Sequence, residues 1–460
     1  MAMVPPPDIA TLSSSEKDAL MTELLQRMQM LEQENAALKA ENAALREKLN
    51  KPTKTPKNSS RPPSQGQKSN ASGKFKPKRK AHPGAHRPLH PNPNRKVDCR
   101  SERCSHCQAD LSGVHQAALH AYDHIEIPPI EPDVTRVTLH GGVCPCCAKA
   151  FKAEPPADLA PGSPFGPNLV AWVLYLRFTH AISFERLARL LLDLFGLEIS
   201  EGALVNMLKS SRAAFAAQTA LIRERLLSGT VLQSDETGMR VTKATWWMWV
   251  FHHGDSACFF IRPSRSKAVV REFLEDYQPD FWVSDRYSAQ MGWAKKEHQV
   301  CLAHLLRDAN YANDAGDASF APALRDLLLE AIAVGRRRER LKDTTLKAYA
   351  AKLERKLDQL LSVVPDCDQG AKLRRVIKKY RQHLFVFITQ RELPSTNNGS
   401  EQALRPGVTY RKVTNGFRSK WGADHYADVR SILETARRRG IGFLAAIRQT
   451  LAGAPLAAVR

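Results

Sequence analysis

The sequence predicts a multidomain α+β protein, and three observations carry that expectation. The chain has 460 residues, too many for one ordinary hydrophobic core and suited to about three domains. Its character changes repeatedly, from a leucine heptad through a Pro- and Lys-rich run and a cysteine cluster into mixed strand and helix patterns. Within those patterns, TVLQSDETG (230–238) reads as a short strand that ends in two carboxylates, Asp235 and Glu236, with Thr237 and Gly238 breaking it just beyond. An acid at a strand end can hold a hard cation such as Mg²⁺ when other carboxylates converge on it, because oxygen ligands suit that ion.

Charge narrows the partners. Lys and Arg number 68 against 47 acidic residues, a formal net charge of +21, which favours an anionic partner such as nucleic acid over a membrane. The opening residues, MAMVPPPDIATL, show no basic region followed by an apolar core, and no apolar run approaches the roughly 18 residues that span a bilayer. A soluble, cytoplasmic protein is expected. Six of the nine cysteines, Cys99, Cys104, Cys107, Cys144, Cys146 and Cys147, fall in one short region, which reads as metal binding rather than a disulfide framework.

Taken in order, residues 15–50 carry leucines every seventh position, Leu24, Leu31, Leu38 and Leu45. The intervening core positions are Met21, Met28, Asn35, Asn42 and Leu49, and the flanking pairs Arg27 with Glu32, Glu34 with Lys39 and Glu41 with Arg46 are all of opposite sign. This is the pattern of a parallel coiled coil that pairs with a second copy, its asparagines fixing register and favouring a dimer. Residues 51–96 hold 13 Lys or Arg, nine Pro and no acid, and predict a flexible basic tether that contacts phosphates without reading sequence.

Residues 97–155 contain Cys104-x-x-Cys107 and, after 36 intervening residues, Cys144-x-x-Cys147, two turns that together supply four thiolates to one Zn²⁺. Cys99, Cys146 and the neighbouring histidines are alternative ligands. Strands are expected at Asp123–Ile127 and Val134–Leu139. A Pro-rich hinge precedes a helical region at 165–227, where Leu187, Leu190, Leu191 and Leu194 share a face, Gly196 permits a turn, and Ser200 caps a second helix bearing Leu204, Met207 and Leu208. As a helix-turn-helix this pair would present Asn206, Lys209, Ser210 and Arg212 to DNA. Two helices packed in a core read the same way.

Residues 228–430 hold the catalytic pattern. Beyond Asp235 come strand-like runs at Trp246–Phe251 and Ala257–Ile261, a helix at 266–277, and a short strand, Phe281–Ser284, that ends at Asp285. The order β-β-β-α-β, with acids closing the first and fourth strands, is that of a ribonuclease-H-like fold. His298–Leu302 suggests a fifth strand, and a charged helical insertion occupies about 305–390. Past it, a polar residue in the stretch from Ser395 caps a short helix that carries Glu401 and is expected to end at Pro406. Arg405, Arg411, Lys412, Arg418 and Lys420 are candidate phosphate contacts beside it. Residues 431–460 are a C-terminal helical segment, where Arg437, Arg438 and Arg439 fit a helix end.

SDETG at Asp235, SDRY at Asp285, CLAH at 301–304 and STNNGSEQALRP around Glu401 resemble the DDE transposases of the bacterial insertion-sequence family numbered sixty-six. The resemblance extends to FRSKWGADHYADVRSILETARRRGI in the tail and to KNSSRPPSQ in the tether. It departs at Gly399-Ser400, where the family tends to small alanine-like residues. It implies that Asp235, Asp285 and Glu401 hold two Mg²⁺ (or Mn²⁺) ions for phosphodiester cleavage and strand transfer at element ends, in a nucleoid-associated assembly with accessory proteins of the same element. Glu236 is then structural, pointing away from Asp235, and Cys301 and His304 are packing residues. Two other readings use the same residues: a dimeric sequence-specific DNA-binding protein, and a transposase relative without catalysis.

Overall fold

The computed structural model describes residues 11–49, 51–59, 87–159 and 162–457. Residues 60–86 of the predicted tether lie outside these, as do the side chains of 43–49, which include Leu45, Arg46 and Leu49 of the heptad. The chain divides into two compact units, residues 1–66 with 167–181 and 209–460, and residues 67–166 with 182–208.

The larger unit is a mixed α+β fold built on a five-stranded sheet. The strands are β3 (Val231–Val241), β4 (Ala244–His253), β5 (Ser256–Arg262), β6 (Phe281–Ser284) and β7 (Glu297–Val300), in the order β5-β4-β3-β6-β7. The first three form an antiparallel meander, and β6 and β7 add in parallel on the other side of β3. This is the predicted ribonuclease-H-like order. Between β5 and β6 runs helix α5 (Lys267–Leu274), capped by Ser266, whose side chain accepts from the Ala268 amide. Phe251, Phe259, Phe273 and Trp282 are fully buried around the sheet, and the rings of Phe251 and Phe273 stack at 3.9 Å. Aromatic bulk at alternate strand positions is what closes this layer.

Both sheet edges are covered. On β5 the outward amides of Ala257 and Phe259 donate to Thr435 Oγ1 (3.1 Å) and Ser431 Oγ (2.8 Å), two hydroxyls on helix α12 (Lys420–Arg438). On β7 the carbonyl of His298 faces His383 Nδ1 at 3.1 Å, while the Gln299 side chain donates to the Leu384 carbonyl and accepts from the Phe387 amide.

The insertion consists of α6 (Leu302–Asp314), α7 (Phe320–Arg337), α8 (Asp343–Ser362) and α9 (Asp368–Tyr380), followed by the short α10 (Val386–Thr389). It does not form a core of its own. Val231, Val283 and Val300 of the strands join Leu302, Leu305, Leu324, Leu328, Ile377 and Phe387 in one apolar cluster, so the insertion extends the sheet's own core.

Helix α11 (Asn398–Thr414) corrects one expectation, because it runs straight through Pro406. An interior proline removes a hydrogen bond and costs about 3 kcal/mol. Here Ala403, Leu404, Gly407 and Tyr410 are buried on one side of the helix, which packs against β3 and β4, and that burial offsets the loss. The chain leaves α11 through Asn415 (φ 58°) and Gly416 (φ 95°), and Phe417 returns to β3, donating to the Arg240 carbonyl and accepting from the Thr242 amide, both at 2.8 Å. A Cβ on Gly416 would stand 2.2 Å from the Arg240 carbonyl oxygen. Gly416→Ala is therefore expected to lower stability by about 2–3 kcal/mol, while Gly440→Ala, also at positive φ but in open space, loses only about 1 kcal/mol. Urea denaturation midpoints of the two variants check the contrast.

Of the remaining helices, α1 (Ser14–Leu49) is a single 36-residue helix. It opens on a reciprocal cap in which Ser13 Oγ accepts from the Glu16 amide while the Glu16 carboxylate accepts from Ser13. Met21, Leu24, Met28, Leu31 and Leu38 are all more than half exposed along it. Helix α2 (Pro167–Thr179) packs against α12 and the last helix, α13 (Phe443–Leu451).

In the smaller unit, α3 (Phe184–Phe195) begins at Ser183 and ends at a left-handed Gly196. Helix α4 (Glu201–Leu227) follows, with Ser200 Oγ accepting from the Ala203 amide. Sequence punctuation placed this turn correctly, yet α4 is 27 residues long and the boundary between units falls inside it. The strands expected at 123–127 and 134–139 are absent. A hairpin of β1 (Gly141–Val143) and β2 (Ala150–Lys152) instead brackets the second cysteine pair, because the turn that holds two thiols also brings its flanks into register.

Candidate active site

The expected break after the first two acids does not occur: β3 continues through Thr237 and Gly238, paired with Met248 and Trp247 of β4, so Asp235 lies within the strand, whereas Asp285 stands just past β6 as expected. The parallel ladder pairs Gln233 with Val283, and each acid stands two residues beyond its partner in that pair, so the two carboxylates are level. Glu401 sits in the first turn of α11. The three share one field. Burial, then the charges of Glu236 and Asp285, and more weakly that of Glu401, push the Asp235 carboxyl well above the ordinary carboxylate range. Asp285 accepts from the Tyr287 amide at 2.8 Å.

Glu236 is engaged elsewhere, as the alternation of β3 requires. Its buried carboxylate pairs with Arg265 at 2.5 Å and accepts from Gln290. Arg265 lies over the Tyr287 ring at 3.9 Å and the Trp247 ring at 4.8 Å. Burial raises the Glu236 carboxyl and Asp285 adds to that, while Arg265 opposes it.

Helix α11 is bolted to β3 by the wholly buried Asn397. Its Nδ2 donates to the Ser234 carbonyl at 2.8 Å, one residue before Asp235, and its Oδ1 accepts from Ser400 Oγ at 2.6 Å. Ser400 Oγ also meets Nε2 of the buried His252 at 2.8 Å, and a Cβ on Gly399 would come within 3.2 Å of the same ring. The Gly-Ser pair before Glu401 thus fits tightly against β4.

Two residues that the sequence did not single out for Glu401 face it from α6. Arg307 approaches its carboxylate at 3.4 Å and His304 Nε2 at 3.8 Å. Burial, and then Arg307, hold His304 below its ordinary value. Cys301 is buried, and its sulfur accepts from the Asn397 amide at 3.1 Å. No spacing rule links Arg307 to an acid 94 residues later; the fold alone brings them together.

Among the described residues, no group of three or more His, Cys, Asp or Glu side chains stands ready to hold a metal ion. The donor chemistry of Asp235, Asp285 and Glu401 nevertheless fits a hard divalent cation. The cysteine pairs form two matching turns. Gln108 donates to the Cys104 carbonyl and Ala148 to that of Cys144, both at 2.9 Å, and Gln108 and Ala148 both adopt positive φ. Backbone amides of Cys107 and His106 lower the Cys104 thiol, and those of Cys147 and Cys146 lower Cys144.

The candidate DNA contacts divide. Asn206, Lys209, Arg212, Arg405, Lys412, Arg418 and Lys420 are exposed. Lys209 and Arg212 both lie over the Trp421 ring, at 5.7 and 5.8 Å, and Lys420 pairs with Asp424 at 2.8 Å. Arg411 instead donates to the Gly238 carbonyl, and Arg437 and Arg438 clasp the buried Glu434. No helix of the described residues is long and apolar enough to cross a membrane.

Comparison with curated proteins gave no match. A profile described as the Transposase IS66 family matches residues 162–425, a span that takes in the sheet, the insertion and all three acids. On that match, and with a sheet order that levels two of those acids, the chain belongs to the Transposase IS66 family and to its DDE-type transposases in general.

Proposed function

We propose that the protein cuts and rejoins DNA at the ends of an insertion sequence, with Asp235, Asp285 and Glu401 as its catalytic carboxylates. The observation that carries this reading is the mutual field of Asp235 inside β3, Asp285 just past the neighbouring β6, and Glu401 in the first turn of α11. Like charges gathered in a partly buried site favour a counter-cation. Divalent ions bound there would activate an oxygen nucleophile and stabilise the leaving oxygen. The chain's own residues do the positioning: Asn397 fixes α11 against β3, Arg265 and Gln290 hold Glu236 aside, and Arg307 with His304 restrains Glu401.

Around this centre, the exposed seam of α1 fits a parallel helix from a second copy. The four thiols carried by the two turns are the donor set that a structural Zn²⁺ takes, although the structure does not gather them into one cluster, and the exposed cations of α4, α11 and α12 suit phosphate contacts of element-end and target DNA. The alternative of a DNA-binding protein without catalysis uses all of these features except the acids.

The deciding experiment incubates purified protein with labelled element-end DNA and Mg²⁺ or Mn²⁺. Nicking and strand transfer by the wild type, lost in Asp285→Asn and Glu401→Gln, is the expected result. Binding of the ends with no cleavage under either metal would leave the DNA-binding reading in its place.

A further inference from the structure

Asn58 stands out in the basic segment after α1. It is 4 % exposed, although Thr53, Lys54 and Lys57 around it are exposed. Its side-chain amide has a partner for every donor and for its acceptor. Nδ2 donates to the Thr53 carbonyl at 3.2 Å and to Asp314 Oδ2 at 2.9 Å, and Oδ1 accepts from the Thr55 amide at 2.6 Å. Asn310 Nδ2 adds a bond to the Lys57 carbonyl at 3.1 Å, and Ser59 Oγ closes the turn onto the Thr55 carbonyl. A buried, fully bonded asparagine marks a built contact, since burying a polar side chain without partners is unfavourable.

The receptor for this turn is α6, and its position on that helix matters. His304, Arg307, Asn310 and Asp314 recur at intervals of three and four, so they share one helical face. The first two meet Glu401, and the last two hold the basic segment. From Arg307 to Asp314 the rise is about 10 Å.

We infer that residues Lys51–Ser59 dock on α6 through Asn58 to form a wall of the DNA path, presenting Lys54 and Lys57 to phosphates of the strand that reaches Glu401. The partner rests on the transposase reading; the docking does not. Lys54 and Lys57 project from a turn held in place, so each phosphate contact forms with little loss of chain freedom. The anchored turn also sets where α1, ending at Leu49, leaves the catalytic unit.

Two arms test this on the full-length chain. In the first, limited trypsin digestion read by mass spectrometry follows cleavage after Lys54 and Lys57. Wild type is expected to be cut at least tenfold more slowly than a synthetic peptide of residues 50–66. N58D, which sets a carboxylate against Asp314, should approach the peptide's rate with the melting temperature of the catalytic unit unchanged, and N58D/D314N, in which the donor is moved to the other side, should regain part of the protection. Wild-type cleavage at the peptide's rate, or N58D protected like wild type, overturns the docking. In the second arm, binding to a 30-base-pair duplex is measured against salt. Lys54→Ala with Lys57→Ala should flatten the slope of log K against log salt by about two. An unchanged slope overturns the wall, and a wild type that does not bind the duplex removes the DNA reading while the first arm still decides the docking.

Discussion

Asp235→Asn is expected to abolish strand cleavage, by at least about 10³-fold, and at the same time to make the metal-free protein more stable at neutral pH. The two effects share a cause. Burial and the neighbouring charges of Glu236, Asp285 and Glu401 raise the Asp235 carboxyl, so ionising it in the fold is unfavourable relative to the unfolded chain. For a group raised on folding, the stabilisation is complete below the unfolded carboxylate value and is lost as pH rises through the folded value. The metal-free wild type should therefore lose stability as pH rises through that interval, and the asparagine variant should lack this component. A gain of about 1 kcal/mol corresponds to roughly 1–2 °C in a unit of this size. Thermal melts in EDTA at several pH values, paired with a cleavage assay, check both halves. A variant that loses activity and also melts lower in EDTA would show that Asp235 supports the fold rather than straining it.

Asn397→Ala is expected to affect both folding and catalysis, although its side chain carries no charge. The substitution leaves the Ser234 carbonyl without its side-chain donor and removes the acceptor of Ser400 Oγ in a fully buried place. Each buried group left unpaired costs about 1–3 kcal/mol, so a total loss of about 2–4 kcal/mol is expected by urea denaturation. Cleavage should fall by about 10²-fold even where the variant is fully folded, because Glu401 is carried on the helix that Asn397 fixes to β3, and small displacements of a reacting group have effects of that order. Gln390→Ala, in a half-buried position before α11, is a control that should leave cleavage near wild type. Wild-type activity in folded Asn397→Ala would show that α11 is held in place by its apolar contacts alone.

The sheet was legible because its signals are local and strong. TVLQSDETG, WWMWVF, ACFFI and FWVS each concentrate β-branched or aromatic bulk, and chain order did the rest. The level pairing of Asp235 with Asp285 follows from the parallel register of β3 and β6, although β3 runs on past its acid, through Thr237 and Gly238, to Val241. Other features depend on information that no local pattern holds. Pro406 reads as a stop, but the packed face of α11 carries the helix past it. The stretches at 123–127 and 134–139 have strand composition without strand partners, and the hairpin forms where the cysteine turn forces two flanks together. Arg307 and His304 reach Glu401 only once the insertion has folded onto the sheet's core. Arg411 reads as a surface cation, yet its nearest acceptor is a strand carbonyl 173 residues earlier.

The covered margins of the sheet bear on how copies of this protein can meet. Hydroxyls of Ser431 and Thr435 occupy the outer amides of β5, and the turn at 383–387 occupies β7. A neighbour's strand finds little ladder to extend, so cross-β stacking and swapped hairpins are disfavoured from the outset. A copy that added to the five-stranded sheet would first have to displace α12 or the 383–387 turn.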